Sequence, residues 1–137
     1  MSNLAWIDLE TTGLDPDVHD ILEIGIIITD RELREVARKL WAVYAAPQER
    51  EWSREALEMH QASGLVGALV FGTPIEDAAA DARCLLDRYG AGGSPMCGAS
   101  VHFDRAFLIA RLIREHLDGE RFQLQKSLPL TPSGADR

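Results

Sequence analysis

Cysteine is nearly absent from this chain, and so are long apolar runs and clusters of basic residues. Two cysteines, Cys84 and Cys97, are too few for a disulfide framework, and neither has a Cys or His at metal-ligand spacing. Both are therefore expected as reduced core residues of a cytoplasmic protein. No apolar run approaches the roughly 20 residues that cross a bilayer, so no membrane partner is expected. The opening Met1-Ser2-Asn3 has no basic region of the kind that begins a secretory signal. Positive charge is scarce as well: 14 Lys and Arg against 22 Asp and Glu give a net charge of −8. Proteins that grip long duplexes neutralise phosphates with a basic stripe. None is visible here, which argues against a sequence-specific DNA binder. An enzyme that handles short nucleic acids through bound cations stays compatible with the acidity, because the cations then supply the positive charge.

What is present is ordinary for one globular domain: 137 residues, 46% hydrophobic and 26% charged. Residues 4–9 read as an apolar-rich strand. Residues 21–29 (Ile-Leu-Glu-Ile-Gly-Ile-Ile-Ile-Thr) are apolar at both parities, which suits an interior strand. A tight turn at 30–32 leads to a third strand over 36–44, and so short a connection implies an antiparallel pair. Helical spacing follows over 53–60, broken near Ser63 and Gly64. A longer helix is marked by Thr73 as N-cap, Pro74 at the first helical position and Glu76 three residues after the cap. Ile75, Ala79, Ala82, Leu86 and Tyr89 recur at helical spacing before Gly90 stops it. Residues 96–98 read as a short buried strand and residues 103–117 as a helix with Phe103 and Phe107 on one face. Residues 121–126 alternate like an edge strand, and Pro129 and Pro132 mark a fraying tail. The expected organisation is one α/β domain over 1–118, incomplete at its C-terminal end, followed by an irregular tail over 119–137.

Asp8 and Glu10 are two apart on the first strand, so their side chains leave the same face while Ile7 and Leu9 take the other into the core. Side-by-side carboxylates repel, and the pair needs either water or a cation. Hard oxygen ligands suit Mg²⁺ or Mn²⁺. Two such ions about 3.5–4 Å apart can orient a water and stabilise the leaving oxygen of a phosphodiester. An isolated Asp-x-Glu more often faces solvent, so the pair alone is a weak signal.

Its surroundings are more specific. Asp8-Leu9-Glu10-Thr11-Thr12-Gly13-Leu14-Asp15, followed by Ile21-Leu22-Glu23-Ile24-Gly25, resembles the first motif of the DEDD 3′-to-5′ exonucleases. The block from Cys97 to Leu108, with Gly98-Ala99-Ser100 and then Asp104-Arg105-Ala106-Phe107, resembles their second. Within that superfamily, Trp6-Ile7-Asp8-Leu9-Glu10 and Met59-His60-Gln61-Ala62-Ser63-Gly64-Leu65 are similar to oligoribonucleases, over roughly residues 3–116. The resemblance implies a ribonuclease H-like fold, in which the three strands form an antiparallel meander within a mixed central sheet flanked by helices. It implies hydrolysis of short RNA to 5′-mononucleotides with two Mg²⁺ or Mn²⁺ ions. Asp8, Glu10 and Asp104 are then metal ligands, Leu14 wedges against a base, and His60 and Ser100 hold oligonucleotide phosphates. It also implies a homodimer.

Each residue has a plainer reading beside this one. Asp104 is also a natural first-turn acid, Leu14 a turn-packing residue and His60 a helix-end histidine. Glu23 reads as a satisfied structural polar group and His102 as structural. The family's third motif, a general-base His followed five residues later by the fourth acidic ligand, has no counterpart after Asp104. His116 is followed by Asp118 too soon, and Asp136 has Thr131 five residues before it. The alternatives are accordingly a non-catalytic or truncated exonuclease-like module that binds nucleic acid, and a proofreading-type DNA exonuclease acting on short DNA.

Overall fold

The computed structural model describes residues 2–44 and 50–113. Strands β1 (Leu4–Thr11), β2 (Ile21–Thr29) and β3 (Glu35–Ala42) form the expected meander. They are followed by α1 (Arg54–Ser63), α2 (Leu65–Ala68), a 3₁₀ turn (Leu69–Phe71), α3 (Ile75–Arg88), the two-residue strand β4 (Met96–Cys97) and α4 (Val101–Phe107). The last continues as a π-helical segment, Leu108–Ile113. The sheet order is β3-β2-β1-β4. β1–β2 and β2–β3 are antiparallel, and β4 runs parallel to β1 with Ala5 opposite Met96 and Trp6 opposite Cys97. The sheet is therefore mixed, as expected. The expected strand at 121–126, the end of the last helix and the tail over 119–137 lie outside the described residues.

Side-chain parity divides the sheet into two unlike faces. Ile7, Leu9, Ile24, Ile26, Ile28 and Trp41 point one way and are buried against Ala78, Ala79, Ala82 and Leu86 of α3 and Phe107 of α4. A run of alanines on α3 lets the helix approach the sheet closely, while the β-branched isoleucines fill the pleats. The opposite face carries Trp6, Asp8 and Glu10 of β1 alongside Ile27, Gly25 and Glu23 of β2, in that register. It is open: Leu40 is 64% exposed, and a groove of about 530 Å³ runs beside Trp6, Asp8, Gly25, Arg38 and Gly98.

Three expectations need correction. Thr73 is not the N-cap of α3: its N–H donates to Ala42 O (2.7 Å), its carbonyl accepts from Tyr44 N–H (2.8 Å), and Pro74 takes the cap position. An isolated parallel bridge to Val43, just past the end of β3, holds the threonine there. The third strand is also shorter than 36–44, ending at Ala42, with Val43 turned to that bridge. Cys84 is a free, exposed thiol rather than a core residue. Its two-residue offset from Ala82 turns it roughly 200° away from the buried face of α3. Cys97 is free and half-buried, and burial raises its thiol pKa.

Elsewhere the helix break expected near Ser63 and Gly64 is present. Ser53 caps α1 by accepting from Ala56 N–H (3.1 Å), and Gly64, at φ 87°, ends it. Ile26→Ala, on the packed face, should cost about 2–5 kcal/mol in urea unfolding. Leu40→Ala, on the open face, should stay within about 0.5 kcal/mol of the parent.

Candidate active site

The site is built where β1 meets α4. Asp8 is exposed at the open face and Glu10 is half-buried two residues on. Asp104 lies in the first turn of α4, its N–H donating to Ser100 O (3.0 Å), and its side chain is only 2% exposed. What lets it come so close is Gly98. A β-carbon there would stand 2.7 Å from Ile7 O and 3.9 Å from Asp104 Oδ2, so only glycine fits between β1 and the incoming carboxyl. The Cys97-Gly98-Ala99-Ser100 stretch is thus a steric requirement of the site.

The electrostatics of Asp104 set it apart. Burial pushes its carboxyl up to about 7; the neighbouring Asp8 and Glu10 charges add to this, and a backbone N–H from Leu9 offsets part of it. One carboxyl oxygen, Oδ2, is buried without a hydrogen-bond partner. A lone acid oxygen held out of water beside two anions is a poor structural element, since buried polar groups are almost always paired. It is a sound cation ligand. Among the described residues, no three acid, His or Cys side chains stand in a ready-made ligand arrangement. The donor chemistry (three hard carboxylates, one of them unpartnered) nevertheless fits a divalent ion.

The other expected residues are spread around this centre. His60, on α1, is buried with Nε2 3.1 Å from Thr11 O and 3.7 Å from Glu10 Oε1. It lines a cavity of about 470 Å³ shared with Glu10, Glu23, Ser63 and Leu65. Leu14 is 80% exposed on the loop after β1. Ser100 is exposed at the start of α4, and its side chain makes no capping bond. The structure therefore brings Asp104 beside Asp8 and Glu10 and sets His60 against Glu10.

Sequence reasoning undervalued Glu23. It stands directly opposite Glu10 across β1–β2 and faces the same cavity. Its carboxyl is raised by burial first, then by Glu10 and Asp8, while His60 opposes the shift. The signal lay in register: a turn that pairs Glu10 with Glu23 cannot be read from either strand alone.

Comparison with known proteins shows the family. The family model for RNase T, described as Exonuclease, matches residues 5–111, and the chain belongs to that exonuclease family. Its fold is ribonuclease H-like, a fold whose exonucleases use divalent metals. Among curated relatives, the oligoribonuclease of Vibrio vulnificus is 42% identical over 114 residues, covering 77% of this chain and 61% of that protein. The oligoribonuclease of Hahella chejuensis is 40% identical over 121 residues, covering 82% and 64%. That of Alcanivorax borkumensis is 43% identical over 115 residues, covering 78% and 61%. The chain spans about six-tenths of the length of these curated relatives. Among solved structures, E. coli exonuclease I with a dT13 oligonucleotide superposes with a TM-score of 0.63 at 19% identity, over 78% of this chain and 22% of that one. A metal-free E. coli exonuclease I–ssDNA complex gives 0.71 at 16% identity, over 90% and 27%.

The raised carboxyl gives a signed pH prediction. An acid whose folded pKa lies above its unfolded value favours the folded state while protonated. The contribution is complete below about pH 4 and is lost as pH rises to 7. In metal-free buffer, Asp104→Asn should therefore remove much of the fall in unfolding midpoint between pH 4 and 7. At pH 8, Mg²⁺ should raise the midpoint of the parent and leave that of the Asn variant nearly unchanged.

Proposed function

We propose that this chain is the substrate-binding and metal-binding part of a 3′-to-5′ exoribonuclease that hydrolyses short oligonucleotides to 5′-mononucleotides. The observation that carries the reading is the buried, unpartnered Asp104 oxygen beside Asp8 and Glu10. Those three carboxylates would hold the two ions, Mg²⁺ or Mn²⁺. When bound, such ions activate water and neutralise charge on a phosphodiester. The chain's own groups do the rest. Leu14 offers an exposed apolar wedge to a base, Ser100 a hydroxyl to a phosphate, and His60 the wall beside Glu10. Curated relatives named oligoribonuclease support RNA over DNA. The reading carries with it a homodimer, as the resemblance implies, and a cytoplasmic location, as the cysteine usage suggests; no helix among the described residues is long and apolar enough to cross a membrane.

A second reading, a module that binds oligonucleotides without cleaving them, is favoured by one specific observation. No His followed five residues later by an acid occurs after Asp104. Positioned bases contribute about 10²–10⁴-fold to rate, so catalysis by this chain alone is expected to be slow. The two readings separate on an end-labelled RNA dinucleotide incubated with Mg²⁺ or Mn²⁺. Release of 5′-mononucleotide that Asp8→Ala abolishes supports the first. Saturable binding in Ca²⁺ with no turnover in any metal sinks it in favour of the second. A parallel dinucleotide of DNA tests the RNA preference.

A further inference from the structure

The loop between β1 and β2 carries Leu14, and so exposed a residue is held in place only through its neighbours on the loop. The loop is short and heavily cross-braced. Thr12 N–H donates to Asp20 O and Asp20 N–H donates to Thr12 Oγ1, both at 2.9 Å, closing its base. Thr11 Oγ1 donates to Gly13 O (2.6 Å). From α1, Ser53 N–H reaches Thr12 O (2.8 Å), so the base of the loop is also tied to the helix that carries His60. The tip is held around Asp15. Val18 and His19 N–H both donate to Asp15 O, and Asp17 N–H donates to Asp15 Oδ1.

Across this tip lies the His19 ring. Its Nδ1 accepts from Asp15 N–H at 3.1 Å, the amide immediately after Leu14. The same ring covers Gly13, the residue immediately before Leu14: a β-carbon there would stand 2.5 Å from His19 Nδ1, Cε1 and Nε2. The imidazole therefore touches both flanks of Leu14 while Leu14 itself projects into solvent. An apolar wedge works only if its backbone does not yield when a base presses on it, because ordering a free loop on binding costs affinity.

We infer that His19 is a positioning residue for the substrate: seated on Gly13 and accepting from Asp15, it latches the 13–19 loop so that Leu14 meets the base in a fixed place. The inference rests on the reading of Leu14 as a substrate contact. His19 sits outside the carboxylate centre, and the latch acts on binding, leaving the metal ligands untouched.

The test uses the full chain and needs no turnover. Amide–solvent exchange is followed by NMR for the parent, His19→Ala, His19→Asn, Gly13→Ala and the double variant Gly13→Ala/His19→Ala. Binding of a 5′-phosphorylated diadenylate in Ca²⁺ is measured for the same set and for Leu14→Ala. His19→Ala should speed exchange at Asp15 by roughly tenfold, the worth of one hydrogen bond, with Ile7 and Ile26 unchanged. His19→Asn, whose Oδ1 replaces the acceptor, should recover much of the protection. Gly13→Ala should speed exchange in the parent and add nothing once the imidazole is gone. Binding should weaken several-fold for His19→Ala and Leu14→Ala alike.

Unchanged Asp15 exchange in His19→Ala overturns the latch, as does a Gly13→Ala effect of the same size with and without the imidazole. If Leu14→Ala weakens binding and His19→Ala does not, the positioning role fails while the substrate reading stands. If Leu14→Ala leaves binding unchanged, or the parent binds no dinucleotide, the substrate reading fails. The exchange comparison, made without substrate, still decides whether His19 holds the loop.

Discussion

Everything at the functional end of this molecule depends on one close approach: β4 running beside β1 with glycine at position 98. Parallel pairing of Ala5 with Met96 and Trp6 with Cys97 is only two residues long, and it ends where Ile7 O would strike any side chain at 98. Because the chain passes there without a side chain, α4 begins immediately beside the carboxylate strand. Asp104 then arrives one helical turn later, buried against Leu9 and next to Asp8 and Glu10. A bulkier crossing would push α4 away and leave the acid in water, where it would be an ordinary surface aspartate. The energetic tension at the site comes from this geometry. An acid kept out of solvent and next to like charge is unfavourable as an anion, and a cation relieves it.

The sheet that supports this arrangement separates duties by parity. One face is packed tightly with isoleucines and alanines and supplies the stability. The other stays open and carries the acids of β1, with a glycine and a glutamate opposite them on β2. The acids therefore draw little on the residues that hold the fold. The exception is the end of β1, where Thr11 and Thr12 are buried and receive hydrogen bonds from His60 and Ser53. There the helix, the strand and the loop carrying Leu14 share one anchor.

Much of this was legible in the sequence because it is local. The alternation around Asp8 and Glu10 fixed which side of β1 faces the core, and the unbroken apolar run at 21–29 marked an interior strand. The break near Ser63 and Gly64 marked the end of α1. The resemblance of the 97–108 block located Asp104, though only the structure shows that it is buried with an unpaired oxygen. What escaped was non-local or a matter of phase. Thr73 looks like a cap from its neighbours, yet it pairs with a strand thirty positions earlier in the chain, a contact its neighbours do not encode. Glu23 looked satisfied because its partner in repulsion, Glu10, is set by register. The exposure of Cys84 was readable in principle, since the spacing of Ala82 and Leu86 already fixes the phase of α3. Rarity of cysteine was the wrong guide to its place.

Gly25 sits opposite Asp8, and a side chain there would meet Leu40 Cδ1 at 3.3 Å and Asp8 O at 3.6 Å. That spacing is tight but not forbidding. The floor of the open face is thus one methyl group deep in reserve: alanine can be accommodated by a small shift of an exposed leucine, and anything larger would begin to fill the groove beside the acids. Bulk at this single position would narrow the open face step by step from the side of Asp8 while leaving the core on the other face untouched.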